Sequence, residues 1–329
     1  MEEKMQALRF HGIGDVRLES VPNPSISSPG QVRLKVLAAG ICGSDLHNFR
    51  TGQWVSKLPV TPGHEFVGEV LETSSDGFSR GDLVVADSRV FCGHCRNCIA
   101  GRHNLCATLG FVGEVCDGGF AEQTVLPASS LLPLPAGTDP LIAAMTEPLA
   151  VALHTVRRLA PVRGEKILIA GGGAIGGLVA LLLADAGFGP LLLVEKNSHR
   201  ATLLAEVAGA ATVAMDDCGA TRFAVDATGS SLVVEALLNT IAPGGTIVLV
   251  GLFHGKPQLD FNLIVEREID VRGCSVYATE MLEAIDMLPR LGEKLRRIAA
   301  PPVSLADLPH AYGRLLRGET TRLKTLIQP

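Results

Sequence analysis

The chain has 329 residues, 47% of them apolar and 36 of them glycine, and a net charge of −5. That length exceeds one small core and points to two domains. The mild acidity argues against the basic field of a nucleic-acid binder and against a polybasic membrane-surface patch.

The N-terminal MEEKMQALRFHG has no apolar run after its charges, so no secretory signal is expected. The longest apolar stretch, 175–183, meets Asp185 far short of a bilayer span. A cytoplasmic protein is predicted. In that reducing setting clustered cysteines bind metal more readily than they form disulfides.

Up to about residue 150 the pattern is short and punctuated by turns. QVRLKVLAAG (31–40), HEFVGEVLE (64–72), DLVVADSRV (82–90) and FAEQTVLP (120–127) read as strands separated by proline and glycine. This predicts a β-rich, barrel-like domain. After about residue 154 the rhythm changes. EKILIAGGG is a strand running into glycines, AIGGLVALLLADAG a helix apolar on all sides, and PLLLVEK a second strand. FAVDATG and GTIVLVGL are further strands with the helix SSLVVEALLNTIA between them, and LADLPHAYGRLLRG with TRLKTLIQP closes the chain as a helix and a strand. Alternating strands and helices predict a doubly wound parallel sheet, giving an α/β class overall. Between ATVAM (211–215) and RFAVDAT (222–228) there is no room for the usual crossover helix, so one sheet-covering helix is expected to be missing.

Gly171, Gly173 and Gly176 form G-x-G-x-x-G between a strand and a helix, with Glu195 nineteen residues further on, at the end of the next strand. In that context the pattern predicts a dinucleotide site. Gly171 serves the tight turn, Gly173 the approach of a pyrophosphate, and Gly176 the packing of helix on strand. The helix N-terminus, opened by Ala174 and Ile175, offers free N–H groups to phosphate. Glu195 suits the two ribose hydroxyls and repels a 2′-phosphate, which favours NAD over NADP; Lys196 and Arg200 are the features that favour NADP. Arg200, Thr228 and Gly251 complete the candidate cofactor contacts.

Cys92, Cys95, Cys98 and Cys106 follow C-x2-C-x2-C-x7-C. Four thiolates suit tetrahedral zinc. The bacterial ferredoxin run closes with x3-C-P instead, and a redox dithiol does not need four cysteines. Four protein ligands leave no open position, so this ion is structural and chemistry belongs elsewhere. The segments Cys42-Gly43-Ser44-Asp45-Leu46-His47 and Gly63-His64-Glu65 offer a cysteine, a histidine and a carboxylate. Such a set binds zinc and leaves a place for water or substrate. The carboxylate is either Glu65 or Glu147, in MTEPLAVALHTV.

Cys42-Gly43-Ser44-Asp45, Gly63-His64-Glu65, the four-cysteine lobe, Glu147-Pro148-Leu149-Ala150 and the dinucleotide fingerprint together resemble the zinc-dependent medium-chain alcohol dehydrogenases, on the polyol (sorbitol) and threonine dehydrogenase side. The resemblance covers essentially the whole chain. It implies a GroES-like catalytic domain over 1–153 with its zinc lobe, a Rossmann domain over 154–287, and a return to the first domain over 288–329. It implies two zinc ions, one catalytic and one structural, and hydride transfer between a secondary alcohol or polyol and NAD. Cys42 and His64 match zinc ligands, and Glu65 and Glu147 match the carboxylates that exchange on the ion. Asp45 matches the group that orients the histidine, and Ser44 and His47 the proton relay. A homodimer or homotetramer through the sheet edge near GTIVLVGL and EIDVRGCSV is also implied. Arg89 stands where threonine dehydrogenases tend to carry a histidine, which favours a polyol over threonine or another amino alcohol. A non-catalytic nucleotide-binding relative is the remaining alternative to an enzyme.

Overall fold

In the computed structural model, which describes residues 3–253, 255 and 257–329, the chain divides into two units. The first takes the chain up to Glu147, then Met281–Thr320 and Lys324–Pro329; the second takes Pro148–Glu280 and Thr321–Leu323.

In the first unit, β1 (Lys4–Gly12) and β2 (Asp15–Pro22) form an antiparallel hairpin. β3 (Gln31–Gly40) is the centre of the main sheet. It pairs with β4 (Glu65–Thr73) on one side, and β4 continues to β5 (Leu83–Ala86). The expected strand over 82–90 is in fact two. Asp87 accepts from the backbone N–H of Arg89 and breaks the run, so β6 (Arg89–Val90) leaves the sheet and pairs instead with β7 (Gly110–Phe111). An aspartate that binds the backbone two residues on favours a turn over a ladder. β8 (Gln123–Pro127) lies on the other side of β3, and β9 (Leu131–Pro133) extends the sheet beyond β5.

Alternation decides which way β3 faces. Val32, Leu34 and Val36 are buried while Lys35 is exposed, as a period of two requires. These three pack with Phe66 and Val70 of β4 and Val84 of β5. The same core takes Leu308 and Tyr312 from α10 (Leu308–Leu316) and Ile327 from β16 (Leu326–Ile327). Each such aliphatic side chain contributes about 1.5–3 kcal/mol on burial. The C-terminal segment is therefore part of the first unit's core. α1 (Gly43–Thr51) follows β3, α2 (Arg96–Ile99) lies in the cysteine lobe, and α3 (Pro140–Ala143) precedes α4 (Thr146–Leu159). α9 (Met281–Ile298) buries Met281, Ala284, Ile285, Leu288, Leu291 and Leu295 along one stripe despite Pro289 within it.

The second unit is the predicted parallel sheet. Its strands are β10 (Ile167–Ala170), β11 (Leu191–Val194), β12 (Ala211–Thr212), β13 (Thr221–Asp226), β14 (Ile241–Leu249) and β15 (Asp270–Gly273), in the spatial order β12-β11-β10-β13-β14-β15. The order reverses between β10 and β13, and a crevice at the carboxyl ends of those strands is where such sheets bind ligands. α5 (Ala174–Asp185), α6 (Ser198–Ala208), α7 (Ser231–Thr240) and the short α8 (Asn262–Glu266) complete the unit. α5 buries every residue from Gly176 to Leu183, as its apolar surface predicts. Of GTIVLVGL and EIDVRGCSV only the second supplies an edge strand, β15; β14 is internal.

The connection from β12 to β13 contains only a 3-10 turn, Met215–Asp217. The chain must pass β11 and β10, about 14 Å at a strand spacing of about 4.8 Å. Residues 213–220 can cover about 26 Å extended, so no helix is needed. Cys218, with Val213 and Met215, packs with Val234, Leu237 and Leu238 of α7 and covers the sheet there. Elsewhere in the unit the buried Glu280 carboxylate accepts from His154 Nδ1 at 3.0 Å, Arg157 Nη1 at 2.8 Å and the backbone N–H groups of Ala278 and Thr279, tying α4 to the segment before α9. No helix among the described residues is long and apolar enough to cross a membrane.

Candidate metal centre and nucleotide loop

Cys42 is the residue at which β3 turns into α1, in extended backbone just before the helix. Its N–H donates to Asp45 Oδ2 at 2.8 Å, which fixes Asp45 in the first turn of α1. His64 and Glu65 arrive from another direction, at the start of β4. Gly63 before them has φ +96°, and a Cβ there would enter the Phe120 ring, so only glycine delivers His64 at this angle.

The two segments converge. A thiol sulphur of Cys42, a ring nitrogen of His64 and a carboxylate oxygen of Glu65 all lie within 4.8 Å of one another. Asp45 Oδ1 stands 3.7 Å from His64 Nδ1, and Ser44 Oγ is 3.4 Å from Nε2. Asp45 thus faces one ring nitrogen and leaves the other facing Ser44, as a metal-binding imidazole with a carboxylate partner requires. Glu147, the second residue of α4, is buried but falls outside the 4.8 Å group; burial pushes its carboxyl up to about 7. His47 is oriented by Gln53, 2.9 Å from its Nε2, and by Trp54, whose ring stacks on it at 4.4 Å. Half-buried Trp54 therefore serves as a support for His47.

Sequence reasoning missed Lys324. It is 1% exposed, forms an ion pair with Glu65, and donates from Nζ to Ile41 O at 2.9 Å. The signal was present, since a lysine inside the apolar run LKTLI has to find a buried partner. Burial opposes its charge, but Glu65 and the other acidic groups nearby raise its pKa and hold it protonated.

Glu65 Oε1 is buried with no hydrogen-bond partner. Three buried carboxyl groups, Asp45, Glu65 and Glu147, lie near a thiol with the Lys324 ammonium and the His64 imidazole to balance them. An open carboxylate lone pair in such a place is costly. Thiol, imidazole and carboxylate are a zinc donor set, so the residues fit a divalent cation. His64 gives this a measurable consequence. Burial opposes its protonation, yet Asp45 and Cys42 outweigh that and place its pKa well above the ordinary value. The metal-free site thus keeps a proton that an incoming ion must displace. Zinc affinity here is expected to fall with pH from that raised pKa downward, in a range where an ordinary histidine is still neutral. Chelator competition as a function of pH measures this, and a flat profile through neutrality contradicts it.

The four sulphurs of Cys92, Cys95, Cys98 and Cys106 also lie within 4.8 Å of one another. Cys106 Sγ is 3.5 Å from Cys92 Sγ, which is 4.0 Å from Cys98 Sγ. A tetrahedron with bonds of about 2.3 Å has edges of about 3.8 Å, so the spacing suits zinc. The N–H groups of Cys92 and Thr108 donate to Cys106 Sγ at 3.3 and 3.4 Å. Such bonds, the first from Cys92, lower the Cys106 thiol to about 6, while burial raises Cys98 to about 12.

In the second unit Gly171 has φ +98°, a Cβ on Gly176 would strike Gly171 O, and a Cβ on Gly173 would meet nothing within 4 Å. The turn at Gly171 and the close packing at Gly176 are thus seen directly, and the space at Gly173 is open. Glu195 Oε2 accepts from the Gly172 N–H at 2.7 Å and Oε1 from the Asn197 N–H at 2.7 Å. This places the carboxylate against the glycine loop beside the N-terminus of α5. Ala174 and Ile175 form the first turn of that helix, and Arg200 lies in the first turn of α6, its N–H capped by Asn197 at 3.2 Å. Thr228 closes on Gly171 across the point where the strand order reverses, and Gly251 packs on Gly229. Thr228 Oγ1 donates to the fully buried Asp226 at 2.5 Å, a partner the sequence reading did not identify.

The sequence matches the alcohol dehydrogenase GroES-like domain over residues 28–136 and the zinc-binding dehydrogenase domain over 174–290. It is 35% identical over 324 residues to the L-threonine 3-dehydrogenase of Streptomyces coelicolor, covering 92% of this chain and 93% of that protein. Two solved structures superpose along the chain. One, described as a zinc-binding dehydrogenase of Sinorhizobium meliloti 1021 bound to NADP, gives a TM-score of 0.92 at 29% identity over 100% of both chains. The other, 2R,3R-butanediol dehydrogenase of Bacillus subtilis, gives 0.90 at 29% identity over 99% of both.

Proposed function

The chain belongs to the zinc-dependent medium-chain alcohol dehydrogenase family, and from that premise we propose that it oxidises a secondary alcohol of the diol or polyol class with NAD. The observation that carries this is the convergence of Cys42, His64 and Glu65 within 4.8 Å, apart from the four-thiol lobe. These three would hold a catalytic zinc and leave one position for substrate; Glu147 is the second carboxylate of that site. Cys92, Cys95, Cys98 and Cys106 would hold a structural zinc.

A zinc held there would supply the Lewis acidity that makes an alcohol hydroxyl acidic at neutral pH, and a bound nicotinamide would supply the hydride acceptor. The chain's own residues supply the rest. Asp45 holds His64 in one orientation. Ser44 Oγ, beside His64, would accept the hydroxyl proton as it releases its own, and His47, steadied by Gln53 and Trp54, would carry the released proton outward. The glycine loop and the start of α5 bind the coenzyme diphosphate.

Glu195 at the glycine loop supports NAD, because its carboxylate repels a 2′-phosphate. Arg200 and the NADP-bound relative support NADP. The free edge at β15, with Val271 39% exposed, supports a homodimer or homotetramer. A cysteine cluster with metal-binding rather than disulfide spacing supports a reducing, cytoplasmic setting.

A second reading, oxidation of threonine or another amino alcohol, is favoured by the 35% identity to a threonine dehydrogenase. Against it, Arg89 is buried and held by both oxygens of Asp87 at 2.6 and 2.9 Å, so its charge is already balanced. The test is metal analysis together with turnover on 2,3-butanediol, sorbitol and L-threonine, each with NAD and with NADP. Two zincs per chain and NAD-linked diol or polyol oxidation are expected. Preference for threonine selects the second reading, and a single zinc removes one of the two sites.

A further inference from the structure

The metal centre rests on Asp45, and Asp45 borders a cavity of about 10 Å³ within the first unit. Its walls include Asn48 of α1, Pro62 and Gly113, and Tyr312 of α10. Tyr312 is 2% exposed, and its hydroxyl is buried without a hydrogen-bond partner among the described residues. Its ring is fixed against Phe49 of α1 at 5.6 Å, edge to face. Burial, with Asp45 and Cys42 nearby, raises its pKa and keeps it a neutral donor.

An unpaired buried hydroxyl is costly, and a cavity of this size with two or more polar groups suits one water. Tyr312 offers an O–H. Asp45 offers lone pairs beyond those facing Cys42 and His64. Asn48 gives one amide hydrogen to Glu114 Oε1 at 2.8 Å and has a second to give. We propose that Tyr312 is a positioning residue for the metal centre: through one water held in this cavity, its hydroxyl donates to the carboxylate of Asp45, which in turn orients His64. The inference rests on the zinc reading of Cys42, His64 and Glu65. It extends that site to α10, so that a helix far along the chain helps to set the direction of a metal-binding imidazole.

Tyr312→Phe removes the hydroxyl and keeps the ring. The metal-free protein is expected to melt at the same temperature or lower, because the water loses a partner. Affinity for the ion that Cys42→Ser loses is expected to fall about three- to tenfold by chelator competition. Adding Tyr312→Phe to Asp45→Asn is expected to cost no further affinity, since the effect passes through Asp45. A rise in melting temperature with unchanged zinc affinity means a dry, strained hydroxyl and overturns the inference. So does an equal loss of affinity in the Asp45→Asn background. If the unaltered protein binds only the lobe's zinc, the metal centre itself fails and this inference with it, which is a different result from either.

Discussion

Cys42→Ser is expected to lower turnover by about three powers of ten while coenzyme affinity stays within about twofold. The size follows from the several kcal/mol that a Lewis acid supplies to the reaction, each 1.36 kcal/mol being a factor of ten. Serine keeps the shape of the side chain but replaces the soft thiolate by a hydroxyl that stays protonated at neutral pH. The start of α1 should survive, because its anchor is the Cys42 backbone N–H bound to Asp45 at 2.8 Å, which serine retains. Zinc content should drop from two per chain to one, and coenzyme binding, measured by fluorescence titration, should persist. Retained turnover in a variant with a single zinc would separate the reaction from this metal altogether. Loss of coenzyme binding as well would indicate misfolding, and His64→Ala then serves as the check because it leaves the start of α1 intact.

The second large effect is placed at Lys324. Lys324→Met leaves Glu65 as a buried carboxylate without its cation, and breaking a buried pair in this way costs about 3–5 kcal/mol. For a unit of this size that corresponds to a drop of about 6–20 °C in the melting temperature of the metal-free protein. The loss should be much smaller with zinc bound, because the ion then takes over the balancing of Glu65 and its binding adds stability. Glu65→Gln combined with Lys324→Met should recover most of the loss in the metal-free protein, since neither charge then remains. Calorimetry with and without chelator reads all three results. A Lys324→Met protein that melts like the parent in both states would show that the pair contributes nothing to stability.

What the sequence disclosed and what it withheld divide along physical lines. The four-thiol lobe was readable because its ligands are close along the chain, and short spacing leaves few ways to arrange them. The glycine loop was readable for the same reason: Gly171 turns at φ +98°, and Gly176 packs where a Cβ would strike Gly171 O. The missing crossover helix followed from chain length alone. The convergence of Cys42 with His64 was different. No local rule joins them, and only the family resemblance links them in the sequence. Lys324 and Tyr312 were missed because their partners are distant in sequence; a buried ion pair and a cavity are properties of packing. α9 escaped because Pro289 interrupts its pattern, although its buried stripe at 281, 284, 285, 288 and 291 is regular. The strand expected over 82–90 failed at Asp87, where side-chain capture of the backbone overrode an apolar run.

The hydrogen bond from Lys324 to Ile41 closes a separation of 283 residues. During synthesis, Cys42, His64 and Glu65 leave the ribosome long before the lysine that pairs with Glu65. A nascent chain therefore carries Glu65 without its ammonium partner until residue 324 has been made. Contacts of such long range form late, so the order of events in the cell is set by geometry. Either a metal ion is captured early and stands in for the ammonium, or that stretch stays open until residue 324 has been made.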